Sequence, residues 1–171
     1  MTFTYKLIVN KVDENKNPLA GANFELQKFI KEENDFVTIK TIDLQNGQTQ
    51  FDFIGLDEGK YKLVETKIPD GYNKADDVEF EVVSDYGENE EGQMILKDLI
   101  VKRGEEVISA GENPEFATEV ADGKVATSIV NIPGTRLPST GGAGTFLLYG
   151  AGVVLLAAGG SMYVLKKRKL D

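Results

Sequence analysis

Hydrophobic and polar residues alternate along short segments of this chain, and turn-forming residues separate the segments. Alternation with a period of two places every second side chain on the same face of a β-strand. The pattern predicts strands at residues 3–12, 23–28, 36–43, 48–53, 60–66, 78–84, 93–102, 105–109 and 124–132. The turn signals between them include Asn17-Pro18, Asn46-Gly47, Asp57-Glu58-Gly59 and Pro69-Asp70-Gly71. Short strands, frequent turns and no soluble helix indicate an all-β, antiparallel sandwich.

Three of these strands carry a polar residue that continues what looks like an inward-facing row. Lys11 continues the apolar face of the first strand, Glu65 continues that of the fifth, and Asn131 lies two positions after Ile129 in the last. Burying any one of these groups alone would be costly, because an unpaired polar group loses its hydration. Burial of all three side chains together would instead place them where they can react with one another.

Such joint burial allows a covalent reaction. A desolvated lysine tends to lose its charge, and a desolvated carboxyl group tends to stay protonated. A neutral Lys11 amine could attack the side-chain carbonyl of Asn131, and a protonated Glu65 could polarise that carbonyl and carry protons to the departing ammonia. The product would be a Lys11–Asn131 isopeptide bond, with Glu65 as its catalytic proton shuttle.

Simpler interpretations of the three residues also exist. Lys11 could extend its amine to the edge of the sandwich, Glu65 could form an ordinary ion pair with it, and Asn131 could cap the end of the last strand.

The C-terminal region has a different pattern. Residues 146–165 carry no charge and are mostly Leu, Val, Ala and Gly, and twenty such residues on a helix cross the hydrocarbon core of a bilayer. Residues 166–169 are all Lys or Arg, and such a cluster stays on the cytoplasmic side. We therefore expect a β-sandwich at residues 1–133, a linker at 134–142, one transmembrane helix at 143–165 and a basic cytoplasmic tail at 166–171.

The linker contains the pentapeptide Leu137, Pro138, Ser139, Thr140 and Gly141. The pentapeptide is followed by the apolar span and then by the basic tail, and this order resembles the sorting signal of Gram-positive surface proteins. The resemblance implies that a sortase, a cysteine transpeptidase, cleaves between Thr140 and Gly141 and passes the Thr140 carbonyl to an amine. The alternative is an ordinary membrane anchor that follows a chance pentapeptide.

Composition narrows the function further. The chain has a formal net charge of −9, which argues against nucleic acid and anionic membrane surfaces as partners. It contains no Cys and no His, so disulfides, thiolate or imidazole metal ligands and the commonest general base are missing. We expect no metal, no cofactor and no enzymatic activity beyond self-modification.

A second resemblance involves the three polar residues. Residues 11–13 (KVD) and 18–26 (PLAGANFEL) resemble the opening of CnaB-type domains in pilins and adhesin stalks. Residues 61–72 (YKLVETKIPDGY) look like the E-box of Gram-positive pilins, and residues 129–133 (IVNIP) are similar to their final strand. The resemblance implies a reversed immunoglobulin-like sandwich in which Lys11, Glu65 and Asn131 form a self-catalysed isopeptide bond. The segment between the E-box and the last strand is longer than such a domain needs, so an extra hairpin at residues 93–109 is an open possibility.

These features predict a structural subunit of a surface pilus, secreted and anchored to the cell wall. Its protein partner would be a sortase, which would join it covalently to neighbouring pilin subunits or to a peptidoglycan precursor. Before sorting, residues 143–165 would hold it in the membrane. The alternative is the stalk of a wall-anchored adhesin that binds a host ligand through other regions.

No signal peptide is recognisable in residues 1–12, so we expect a longer protein or a truncated reading frame. The isopeptide bond would close a loop of about 120 residues, and a loop-entropy estimate gives a stabilisation on the order of 4–5 kcal/mol.

Overall fold

The computed structural model describes residues 4–43 and 47–134, which lie within one compact unit. The strands in these residues are β1 (Tyr5–Asp13), β2 (Asn23–Ile30), β3 (Asp35–Ile42), β4 (Gln50–Leu56), β5 (Gly59–Lys67), β6 (Val78–Glu88), β7 (Met94–Arg103), β8 (Glu106–Val107), β9 (Phe116–Glu119) and β10 (Lys124–Asn131). None of the described residues is helical, so the predicted all-β class is confirmed.

The strands form two sheets. One has the order β4-β1-β10-β9, and the other has the order β3-β2-β5-β6-β7-β8. The first and last strands, β1 and β10, are neighbours and run parallel, whereas all other neighbouring strands are antiparallel. The first sheet therefore presents Lys11 and Asn131 from adjacent strands, and the second contains β5 with Glu65.

Alternating side chains of both sheets fill the space between them. Two aromatic contacts join the sheets, Phe24 with Phe51 and Phe80 with Phe116, each with ring centroids 4.9 Å apart. Such pairs contribute beyond the area that they bury. The other fully buried apolar residues include Tyr5, Leu7, Val9, Leu26, Phe53, Tyr61, Leu63, Val82, Leu99, Val101 and Val125.

Three elements differ from the sequence-based expectation. The acidic, glycine-containing segment at residues 86–92 predicts a loop, but β6 continues through residues 86–88 because their backbone pairs with β7. The possible hairpin at residues 93–109 is present as β7 and β8, and β8 has only two residues. The short strand β9 has no sequence-based counterpart.

Several expectations lie outside the described residues. These are the first residue of the predicted strand at 3–12, the first residue of the Asn46-Gly47 turn, the linker from residue 135 onward, the sorting motif at 137–141, the transmembrane segment at 143–165 and the basic tail at 166–171. No helix long and apolar enough to cross a membrane occurs among residues 4–43 and 47–134.

Candidate functional site

Lys11 lies at the buried end of an apolar row on β1. Its side chain is fully buried, and its amine donates hydrogen bonds to the main-chain carbonyls of Ile129 (2.9 Å) and Val12 (3.0 Å). Burial lowers the pKa of Lys11 to about 8, although the nearby carboxylates of Glu65 and Asp13 favour the charged amine. A larger fraction of this amine is therefore neutral at physiological pH than for an ordinary lysine.

Asn131 and Glu65 are in direct contact in the core. Both side chains are buried, and Asn131 Nδ2 donates a hydrogen bond to Glu65 Oε2 at 3.0 Å. The same nitrogen donates a second hydrogen bond to the main-chain carbonyl of Asn73 at 2.6 Å. Glu65 Oε2 also accepts a hydrogen bond from the Ala75 N–H at 3.0 Å.

Strand pairing explains why these residues meet. In the parallel pair of β1 and β10, Lys11 lies opposite Ile129 and Asp13 lies opposite Asn131. Asn131 is thus two positions further along than Lys11, on the same inward face, and β5 supplies Glu65 from the other sheet. The predicted burial of all three polar residues on inward-facing rows is confirmed.

The contacts bear on the simpler interpretations of Lys11. A fully buried side chain does not reach the edge of the sandwich, so the interpretation of an amine extended to solvent is wrong. Among the described residues, no ion pair joins Lys11 to Glu65, and the hydrogen-bond partners of the amine are main-chain carbonyls.

The orientation of the Asn131 amide determines what the site can do chemically. In this conformation Glu65 faces the amide nitrogen, which suits proton delivery to a departing ammonia rather than polarisation of the carbonyl. Asn131 Oδ1 and Glu65 Oε1 are buried and have no hydrogen-bond partner within the described part of the chain. The Asn131 amide and the Glu65 carboxyl group are thus in contact in the core, and the Lys11 amine, which interacts electrostatically with Glu65, is buried in the same core.

A loop at residues 69–75 covers the site and is held by the chain that follows β10. The Asn73 N–H donates to the Ile132 carbonyl (2.9 Å), and the Gly134 N–H donates to the Gly71 carbonyl (2.8 Å). A Cβ atom at Gly134 would lie 3.2 Å from Asn73 Oδ1, so the two segments approach closely. No sequence pattern points to Asn73 or Ala75, because both contribute backbone groups to the site.

Two other lysines of the first sheet, Lys6 and Lys124, lie on its outer face. Lys6 forms an ion pair with Asp52 (2.7 Å), and Lys124 forms one with Glu119. Within residues 4–43 and 47–134, no group of three or more acidic residues lies close enough together to hold a metal ion.

Two family models match this chain. The model of the SpaA prealbumin-like fold domain matches residues 5–95, and the model of the LPXTG cell wall anchor motif matches residues 130–171. The second match includes the LPSTG pentapeptide and indicates a cell-wall-anchored surface protein of Gram-positive bacteria. No curated protein shows significant similarity to the chain.

Solved structures of pilus proteins resemble the chain. A C-terminal fragment of the pilus adhesin SpaC from Lactobacillus rhamnosus GG is 24% identical with a TM-score of 0.50, and the match covers 80% of this chain and 48% of that one. The major pilin subunit BcpA of Bacillus cereus is 22% identical with a TM-score of 0.44, covering 75% and 29%. The group B streptococcus pilus 2b backbone protein is 22% identical with a TM-score of 0.45, covering 79% and 43%.

The chain spans less than half the length of each of these structures, and the similarity to the SpaC fragment supports the fold alone. The match to the domain model extends over more than half of the sequence and includes β1, β2 and β5. This protein therefore belongs to the family of SpaA prealbumin-like fold domains, and its domain is followed by an LPXTG cell wall anchor motif.

Proposed function

We propose that this chain is the C-terminal domain of a structural subunit of a Gram-positive surface pilus, stiffened by an isopeptide bond between Lys11 and Asn131. The observation that carries the proposal is the buried contact of Asn131 with Glu65, beside a lysine whose amine is also fully buried. A fold of this kind that needed only stability would be expected to place apolar residues at these positions, because buried charges cost free energy.

The proposed reaction needs no external reagent. The neutral Lys11 Nζ attacks Asn131 Cγ, the new Nζ–Cγ bond forms, and the bond from Cγ to Nδ2 breaks. One proton of the lysine amine passes through Glu65 to Nδ2, which departs as ammonia. The contact of Glu65 Oε2 with Asn131 Nδ2 supports this route for the proton.

Intact mass of residues 1–140 tests this bond directly. Loss of one ammonia should make the protein lighter than its sequence mass by ~17 Da, a covalent change that packing cannot imitate. We expect the deficit to disappear in Lys11→Ala, Glu65→Ala and Asn131→Ala. A matched control, Lys6→Ala, removes a lysine from the outer face of the same strand and should keep the deficit. A wild-type protein at its full sequence mass would rule the bond out.

The second part of the proposal concerns assembly. Sortase would cleave between Thr140 and Gly141 and join the Thr140 carbonyl to a lysine of the next subunit or to a peptidoglycan precursor. Residues 143–165 would hold the chain in the membrane until then, with residues 166–171 on the cytoplasmic side. In this role the protein is a sortase substrate and has no enzymatic activity except its self-modification.

Expression of the complete surface protein in a sortase-positive host tests the assembly. A ladder of covalent multimers on denaturing gels is expected, and Thr140→Ala should abolish it. Ser139→Ala changes the variable position of the motif and serves as the control that keeps the ladder. A single wall-linked species in place of the ladder would instead indicate the stalk of an anchored adhesin.

A further inference from the structure

We propose that the main-chain carbonyl of Asn73 determines which side chain can react at position 131, so that the site accepts an amide and rejects a carboxyl group. The inference rests on the proposed isopeptide reaction and adds a specificity-determining residue to it. Asn73 acts through its backbone, since its own side chain is exposed.

Two hydrogen-bond acceptors face Asn131 Nδ2. Glu65 Oε2 lies 3.0 Å from this nitrogen and the Asn73 carbonyl oxygen lies 2.6 Å from it. An amide NH₂ group has two hydrogens and satisfies both acceptors. A carboxylate has none, and a protonated carboxyl group has one.

The consequence for an aspartate at position 131 follows from burial. The aspartate oxygen that takes the place of Nδ2 would carry at most one hydrogen and could not donate to both Glu65 Oε2 and the Asn73 carbonyl oxygen, in a site where position 131 is only 1% exposed. A second carboxylate beside Lys11 would also favour the charged amine, which is not a nucleophile. Aspartate is nevertheless a chemically possible substrate, because its condensation with lysine releases water and yields the same amide.

The position of the Asn73 carbonyl is fixed by the segment that follows Asn131. The Asn73 N–H donates to the Ile132 carbonyl at 2.9 Å, and Tyr72 forms an antiparallel bridge with Pro133. Asn73, which we propose selects the amide, is therefore hydrogen-bonded to the segment that immediately follows Asn131. The same carbonyl holds the nitrogen that leaves as ammonia.

The first test is the intact mass of Asn131→Asp, measured beside the wild type after the same time. Cross-linking of the aspartate would remove ~18 Da as water, and we expect no such loss when the wild type has reacted fully. Asn73→Ala keeps the backbone carbonyl and should react like the wild type. Complete reaction of Asn131→Asp would overturn the specificity while leaving the proposed cross-link intact, whereas an unreacted wild type would overturn both.

A backbone substitution tests the carbonyl itself. Replacing Lys74 by its α-hydroxy acid turns the preceding carbonyl into an ester carbonyl, which is a weaker acceptor. Protein made by cell-free synthesis and quenched at intervals gives the rate of mass loss. In the wild-type background we expect the ester to slow the reaction about fivefold, and in the Asn131→Asp background we expect it to increase the cross-linked fraction. A purely structural disturbance would slow cross-linking in both the wild-type and the Asn131→Asp backgrounds. If the ester changed cross-linking in the same direction in both backgrounds, the proposal would be overturned.

Discussion

The Lys11 amine is fully buried, and this affects how the domain responds to pH before any cross-link forms. The pKa of Lys11 is lowered from 10.5 to about 8, mainly by burial. Between these two values the unfolded chain binds more protons at this site than the folded domain does. The cost of burying the amine is therefore present below pH 8 and disappears as the pH approaches 10.5.

Asn131→Ala, which cannot cross-link but keeps Lys11, should show this effect. Relative to the double variant Lys11→Met/Asn131→Ala, its free energy of unfolding should rise by about 3 kcal/mol between pH 8 and 10.5. Urea unfolding at a series of pH values measures both proteins, and the double variant cancels the titration of other groups. Parallel pH curves for the two variants would contradict a lowered Lys11 pKa.

How far the site could be predicted also depends on the kind of group involved. Lys11, Glu65 and Asn131 were identifiable because a polar side chain interrupts an apolar row of period two. Asn73 and Ala75 contribute a carbonyl and an N–H, which nearly every residue has, so no sequence pattern distinguishes them. Their role follows from the path of the loop, and that path depends on pairing with Ile132 and Gly134.

Strands with a long alternation of apolar and polar residues could be predicted from the sequence. Strands that form mainly because their backbone pairs with a neighbouring strand could not. Strand β9 has only four residues, and its backbone partner is β10, so its own sequence carries little signal. Strand β6 extends through Gly87, a residue that indicates a loop in an acidic segment. In the structure the Lys97 side chain lies over this glycine, and a Cβ atom there would clash with the end of that side chain.

The short strand β9 nevertheless contributes to the core through Phe116. This side chain is 1% exposed and packs on Phe80 of the other sheet. In the Asn131→Ala background, which has no cross-link, Phe116→Ala should lower the free energy of unfolding by about 3–5 kcal/mol. Ala117→Ser, at an exposed position of the same strand, should change it by less than about 0.5 kcal/mol.

Denaturant unfolding of the two variants measures both effects. Equal, small effects for Phe116→Ala and Ala117→Ser would show that β9 is a peripheral strand that contributes little to packing between the sheets.

For the whole molecule, the proposed bond predicts a response to pulling. Tension applied between Tyr5 and Gly134 would pass along β1 to Lys11, through the isopeptide bond to Asn131, and on to Gly134. The loop between Lys11 and Asn131 would therefore carry no load. Single-molecule extension of the wild type should then lack the length increment of about 40 nm that a released loop of about 120 residues would give. Asn131→Ala should show it, and a full increment in the wild type would contradict the covalent load path.

The parallel pairing of β1 and β10 has one more consequence. Because both strands point the same way, the chain enters the domain at one pole and leaves it at the opposite pole. A domain with entry and exit at opposite poles has a built-in direction, and units linked from exit to entry all inherit it. A fibre made in this way would be polar, with two chemically different tips.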